Sequence, residues 1–296
     1  MTDKNDPHSN RSPLAYENKK FLNGPDGRIL RILAEYQEPL SRFRRERIQD
    51  TIVFFGSARF HSRSQAEEAL QLLDKPGSAT LAPPEEQERI RLAKADVEMA
   101  CYYEDARRLA FMITQWTKSI NQPRHRFVIC TGGGPGIMEA ANLGAAEAGG
   151  KTIGLNINLP FEQMPNSYIT PELNFEFHYF FMRKLWFAYL AKALIVFPGG
   201  FGTFDELFEL LTLAQTDKLA KRICIVVYGK KYWDRVINFQ ALVDSGTISP
   251  NDLALFHWAE TPEEAFQCLQ DDLTKHHLQR PQGLHDKEPD IAKTRP

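Results

Sequence analysis

Residues 193–206 read Ala-Leu-Ile-Val-Phe-Pro-Gly-Gly-Phe-Gly-Thr-Phe-Asp-Glu. The apolar run Ala193–Phe197 predicts a buried strand, the glycines after Pro198 a tight turn, and Thr203–Gln215 a helix with acids near its start. Such a turn aims backbone N–H groups at an anion and sets a carboxylate, Glu206, about one helical turn away. A second glycine turn, Thr131-Gly132-Gly133-Gly134-Pro135-Gly136, follows the run Phe127–Cys130 and leads into another helix. Two phosphate-competent turns, with Arg183-Lys184 between them in the chain, point to a protein that handles nucleotides.

Outward from these turns the chain alternates. Strands are expected at Thr51–Phe55, Phe127–Cys130, Lys151–Ile157, Ala193–Phe197 and Ile223–Tyr228, with Leu253–Trp258 a short final one. Helices are expected at Ile29–Arg47, Ser64–Leu73, Glu85–Ile120, Gly136–Ala148, Met182–Lys192, Thr203–Gln215, Tyr232–Ser245 and Thr261–His277. Phe175–Phe181 reads either as a strand or as an extended lead into the next helix. Continuous apolar strands separated by helices predict a parallel sheet covered on both faces, a Rossmann-like α/β fold in one domain with an N-terminal helical extension. The expected organisation is a loose arm over 1–26, the α/β domain over 27–278 with a long helical connection at 61–126, and a disordered tail over 279–296. Ligands of such sheets sit beyond the carboxyl ends of the strands. If their strands are neighbours, Gly56-Ser57 and the two glycine turns line one crevice.

Composition narrows the function classes. A net charge of -2 without any basic stripe argues against a nucleic-acid partner. The first residues lack the apolar stretch of a signal peptide, and no apolar run reaches the roughly 18 residues of a membrane span, so a cytoplasmic protein is expected. Cys101, Cys130, Cys224 and Cys268 lie far apart in sequence, and neither they nor the histidines and acids show metal-ligand spacing. Free thiols, no metal and no cofactor are the expectation.

Each candidate has a plain structural alternative. The turn at 131–136 lacks the Gly-Lys-Ser/Thr of a Walker loop and the G-x-G-x-x-G of a dinucleotide fingerprint, so a ligand-free turn and a phosphate cradle both stay open. Thr203 and Glu206 fit a capping box, in which the glutamate serves only its own helix. Arg183 and Lys184 stand at a helix start, where cations are disfavoured unless an anion joins them. Arginine holds such an anion in bidentate fashion, whereas Lys184 would neutralise it loosely. Ser57 is placed to donate to a phosphate or ribose hydroxyl; Arg59 reads as turn chemistry. Glu139 and Asn142 are candidate lining residues, His178 a packed histidine, and Asp205 with Glu209 a helix-surface pair.

Taken together, Gly132–Glu139, Met182-Arg183-Lys184 and Pro198–Glu206, in this order, resemble the LOG family. Its members are cytokinin riboside 5′-monophosphate phosphoribohydrolases, long labelled lysine decarboxylases. The resemblance covers roughly residues 50–270, and the long connection resembles the larger bacterial type II group. It implies hydrolysis of the N-glycosidic bond of AMP or a cytokinin riboside 5′-monophosphate, to free base and ribose 5-phosphate, by a homodimer or dimer-built hexamer. It also implies a catalytic pair, Arg183 and Glu206, with Ser57, Gly133, Gly134, Gly136, Met182, Lys184, Gly199, Gly200, Gly202 and Thr203 around the substrate. Compact members show Met-His-x-Arg-Lys where Phe181-Met182 directly precedes Arg183-Lys184 here, a departure that falls on the wall of the base pocket. In the expected mechanism a fixed carboxylate stabilises the positive charge that develops on the ribose and orients water. No lysine context suggests a pyridoxal Schiff base. The alternative is a non-catalytic carrier of the same fold, binding a nucleotide or molybdenum cofactor.

Overall fold

Apolar runs bounded by turns become the seven strands of one sheet: β1 (Thr51–Phe55), β2 (Val128–Thr131), β3 (Thr152–Ile157), β4 (Asn174–Phe177), β5 (Ala191–Val196), β6 (Cys224–Tyr228) and β7 (His257–Ala259). The computed structural model describes residues 12–73, 83–159, 164–219 and 221–279. The expectations for residues 1–11 and 280–296, and for the 74–82 part of the long 61–126 connection, lie outside the described residues. Every strand pair is parallel, in the order β4-β3-β2-β1-β5-β6-β7. The chain starts in the middle, winds outward to β4, then crosses back to lay β5 on the other side of β1. The strand order therefore reverses between β1 and β5, the switch point at which a doubly wound sheet opens a crevice. The fold is the Rossmann-like α/β architecture that the alternation predicts.

The strands are buried on both faces, so alternate residues feed two cores. Ile52 and Phe54 of β1 point to one face, with Leu109 and Ile113 of α4 (Pro84–Ser119), Ile137 and Ala141 of α5 (Ile137–Glu147), and Leu269 of α10 (Pro262–Leu273). Val53 and Phe55 point to the other, with Phe43 of α2 (Arg28–Arg45), Trp186 of α6 (Phe180–Leu190), Leu207 of α7 (Phe201–Gln215) and Trp233 of α8 (Lys230–Val236). The 36-residue α4 packs along α5 and is itself covered by α3 (Arg63–Leu73). At Gly144 a Cβ would stand 1.9 Å from the Arg107 carbonyl oxygen. The α4 and α5 backbones therefore touch there, and only glycine fits.

Three departures from the sequence reading have local causes. The single helix expected over 232–245 is two, α8 and α9 (Phe239–Asp244). Ile237 is extended, and the Asn238 side chain accepts the Ala241 N–H to cap a fresh helix. The strand expected from Leu253 begins only at His257, because 250–255 wind as a 3-10 turn. Ser249 and Asp252 bond reciprocally at its start. Finally, residues 19–23, read as part of a loose arm, form the short helix α1 (Lys19–Asn23), against which Arg31 bonds through the carbonyls of Leu22 and Gly24.

At the amino ends of β1 and β2 a buried ion pair closes the sheet. Arg126 Nε donates to Asp50 Oδ2 at 2.8 Å, and the Phe127 N–H donates to Asp50 Oδ1 at 2.6 Å. Burial pushes the Asp50 carboxyl up, against the pull of Arg126 and the Phe127 N–H.

Candidate active site

The three turns meet at the switch point. The Ser57 N–H, just past β1, donates to the Pro198 carbonyl past β5 at 2.9 Å, and the Ser57 carbonyl accepts the Ile137 N–H at the start of α5 at 3.0 Å. Each turn is stitched to the next through backbone. Gly136 has a φ of +71°, and a Cβ there would lie 2.2 Å from the Ser57 oxygen, so glycine is required where the α5 turn passes beneath residue 57. Ser57 Oγ accepts the Arg59 N–H at 3.1 Å, the turn chemistry expected of Arg59. Arg59 itself is exposed.

The turn after β2 is braced from behind. Thr131 Oγ1 accepts the Gly133 N–H at 2.9 Å and donates to Asn142 Oδ1 at 2.7 Å. Asn166 Nδ2 donates to the carbonyls of Gly133 and Gly134 and to Asn142 Oδ1. Asn142 is fully buried, so it holds the shape of the turn instead of lining the crevice. Glu139, read with it as a lining residue, accepts from Tyr103 Oη on α4. Asn156, at the end of β3, fills the space where a Gly133 side chain would go. Asn156 and Asn166 escape sequence reasoning because an isolated asparagine carries no spacing signal.

The turn after β5 is open. Gly200 caps α7 without a side-chain bond, and a Cβ at Gly200 or Gly202 would meet nothing within 4 Å. Gly199 is tighter: its carbonyl accepts the Tyr232 hydroxyl at 2.8 Å, and a Cβ would press on Thr203 Oγ1. Because α7 begins at Phe201, Thr203 sits inside the helix, and no Thr203–Glu206 capping box forms. Glu206 is thereby released from the bland role that its spacing suggested.

Arg183 and Glu206 both point inward. Arg183 Nε donates to the Leu155 carbonyl at the end of β3 at 2.7 Å, and Nη2 reaches the Gly132 carbonyl at 3.4 Å. Its guanidinium lies 5.1 Å from the centre of the Phe187 ring. Burial lowers the Arg183 pKa while the charge of Glu206 opposes the shift. The Glu206 carboxyl is 7% exposed, and burial raises its pKa to about 7 in spite of Lys184 and Arg183. Among the described residues no ion pair joins Arg183 to Glu206, yet each influences the other electrostatically. Lys184 stands beside Glu206 at 3.7 Å but bonds more closely to Asp205 at 2.8 Å and Glu209 at 2.6 Å. So Asp205 and Glu209 are not merely a solvated pair; they hold the cation. Although burial disfavours its charge, those two hydrogen bonds keep the Lys184 pKa above its ordinary value, which suits a fixed cation and not a Schiff-base amine. Met182, read as a residue around the substrate, is buried among core side chains. His178 is exposed, its ring edge-on to Tyr179 rather than packed in the core.

A family profile described as "Possible lysine decarboxylase" matches residues 138–269. The chain is 26% identical over 155 residues to the probable cytokinin riboside 5′-monophosphate phosphoribohydrolase LOGL3 of Oryza sativa subsp. japonica, a match spanning 49% of this chain and 68% of the rice protein. It is 31% identical over 96 residues to the cytokinin riboside 5′-monophosphate phosphoribohydrolase LOG2 of Arabidopsis thaliana and 32% identical to LOG1, spanning 44% of each. Over these stretches the chain is similar to LOG-family proteins. Among solved structures, a structural-genomics target aligns over 99% of its length and 75% of this chain at 20% identity, with a TM-score of 0.44. The molybdenum cofactor carrier protein of Chlamydomonas reinhardtii aligns over 99% of its length and 76% of this chain at 20% identity, with a TM-score of 0.42. The profile takes in Glu139, Arg183, Lys184, the 198–206 turn and Glu206, and leaves out Ser57 and the glycines of the 131–136 turn. Among the described residues no helix is long and apolar enough to cross a membrane.

One cluster went unseen in the sequence. The thiols of Cys224 and Cys268, 44 residues apart in a chain read as having no metal spacing, share a hydrogen bond, and His257 lies beside them.

Proposed function

We propose that this crevice hydrolyses the N-glycosidic bond of a nucleoside 5′-monophosphate, AMP or a cytokinin riboside 5′-monophosphate, releasing the base and ribose 5-phosphate. The observation that carries the reading is Glu206: a buried carboxyl with a pKa near 7, free of capping duty, close to a half-buried arginine above two glycine turns. In this reading the 5′-phosphate sits at the start of α7 on the open amides of the 199–202 turn, where the helix dipole favours an anion. Arg183 meets the phosphate or the ribose from the other side. Burial disfavours its charge, and an anionic substrate relieves that cost. The gap between the guanidinium and the carboxylate is where the ribose would lie.

As the C1′–N bond breaks, positive charge builds on the ribose ring. The Glu206 carboxylate stabilises it and takes a proton from the attacking water, whose oxygen bonds to C1′, while the base leaves with its electron pair and gains a proton at a ring nitrogen. A Glu206 pKa near 7 lets the carboxylate accept that proton with little driving force lost. Lys184, locked to Asp205 and Glu209, keeps part of the Glu206 population ionised.

Incubation of the protein with AMP, followed by chromatography, tests the assignment. Free adenine and ribose 5-phosphate are expected, adenosine should turn over far more slowly, and Glu206→Gln should retain AMP yet release no adenine. Intact AMP held by the parent protein would identify a carrier instead, and full activity in Glu206→Gln would remove the carboxylate from the reaction.

A further inference from the structure

Away from the crevice, β6, β7 and α10 bring three metal-ligating side chains to one point. Cys224 opens β6, His257 opens β7, and Cys268 lies mid-way along α10. The register pairs Val226 with His257. Cys224 is two residues before Val226 on the same strand and therefore shares its face, and that is the face on which α10 packs through Ala265, Leu269 and Leu273. One cysteine sulfur, one imidazole nitrogen and a second cysteine sulfur then lie within 4.8 Å of one another. Cys224 is buried, Cys268 half-buried and His257 exposed, so the cluster is walled on the core side and open toward solvent.

A fourth group stands close by. Asp272 is one helical turn after Cys268 on α10, and its carboxylate acts electrostatically on both thiols. Its Oδ1 accepts from Arg222 at 2.9 to 3.0 Å. Its Oδ2 is buried with no hydrogen-bond partner among the described residues, although the side chain is only 9% exposed. A buried carboxylate oxygen left without a donor is costly and invites a cation or a water bound to one.

We propose that Cys224, His257 and Cys268 bind a divalent zinc-type cation, with Asp272 Oδ2 or a water it orients as the fourth ligand. Two sulfurs and one nitrogen match the preference of Zn(II), a borderline-soft ion that takes four ligands in tetrahedral array. Oxygen-seeking Mg(II) or Ca(II) find only one carboxylate there. Binding converts the two thiols to thiolates, and their protons pass to solvent. The metal would tie α10 to the exposed end of the sheet, where β7 is only three residues long. It would act as a staple remote from Arg183 and Glu206, so this inference does not depend on the activity proposed above.

The test uses the full chain, reduced and stripped with a chelator, then titrated with Co(II) alone and back-titrated with Zn(II). Expected are one equivalent bound, a thiolate-to-cobalt charge-transfer band that Zn(II) abolishes, and a rise in Tm with either metal. His257→Asn and Cys268→Ser should both lose the band and the metal-dependent part of Tm, while Cys101→Ser keeps both. His257 is exposed, so His257→Asn reports on the site even if a cysteine variant fails to fold. Asp272→Asn should weaken Co(II) binding about 10- to 100-fold without abolishing the band. The proposal is overturned if the reduced parent shows no charge-transfer band, if the band survives in His257→Asn, or if added diamide, itself reduced to the hydrazine, oxidises Cys224 and Cys268 to a disulfide equally fast with and without Zn(II).

Discussion

The first strand has a buried carboxylate with a guanidinium near it at each end, built in opposite ways. At the amino end Asp50 and Arg126 are in contact at 2.8 Å, and the remaining carboxylate oxygen takes the Phe127 N–H. At the carboxyl end Arg183 bonds to backbone carbonyls and Glu206 faces it without an ion pair. The first arrangement is complete, so nothing is left for a ligand to supply. The second is incomplete, and its unmet electrostatic demand is what a phosphorylated sugar would meet. Closure against incompletion, not the mere presence of buried charge, separates a structural pair from a candidate site.

The sharpest way to break that contrast is at the closed end. Asp50→Ala should leave Arg126 buried without a partner and orphan the Phe127 N–H, costing about 3–5 kcal/mol in urea unfolding. A loss under about 1 kcal/mol would show that water compensates the guanidinium and that the amino end is not closed.

At the open end the matching change should separate activity from stability. Glu206→Gln should lower the rate of base release by on the order of 10²- to 10³-fold. In the unfolded chain Glu206 ionises in the ordinary carboxylate range, and in the folded protein near 7. Between those values the native state holds the extra proton, so the residue's contribution to stability falls as pH rises through 7. Removing the ionisation should therefore stabilise the protein in alkaline buffer, by up to about 3 kcal/mol, and have little effect in acid. Lys184 keeps Asp205 and Glu209 in the variant, so no new unpaired cation offsets the gain. Unfolding at two pH values checks this; equal effects at both would mean that Glu206 titrates normally.

The glycine turns test the same distinction on backbone. In Gly136→Ala the methyl would meet the Ser57 carbonyl at 2.2 Å in a left-handed conformation, and a stability loss of about 1–3 kcal/mol is expected. Gly200→Ala meets nothing within 4 Å. Its Tm should stay put while KM for AMP rises, because the methyl stands where the phosphate would approach. A fall in Tm for Gly200→Ala would make that turn structural like its partner.

Much of this was legible in the sequence because the signals are local. The run 193–206 encodes strand, turn and helix in consecutive residues, and the β-branched run at 51–55 reproduces β1 to the residue. Three glycine-rich strand ends, predicted to meet if their strands were neighbours, do meet, because the order β2-β1-β5 makes them so. What escaped was long-range or a matter of competition. Asn156 and Asn166 matter only because folding carries them to the 131–136 turn. Thr203 and Glu206 have capping-box spacing, yet the helix starts two residues earlier at Phe201 and the box never forms. Cys224, His257 and Cys268 lie on separate elements, and only strand register and helix packing bring them together.

Lys184 gives the finest comparison of the two ends. Arg126 has one carboxylate partner, held in direct contact; Lys184 is shared among three, and its pull on Glu206 is only one influence against burial. Lys184→Met keeps the apolar stem and removes the charge. Glu206 should then ionise at higher pH, and the rising limb of log kcat/KM, centred near 7 in the parent, should move upward by a fraction of a pH unit. The plateau rate above that limb should change little, since Lys184 is assigned no contact with the reacting atoms. If the limb stays where it is and only the plateau falls, Lys184 acts on the substrate directly, and the open end holds its anion with two cations instead of one.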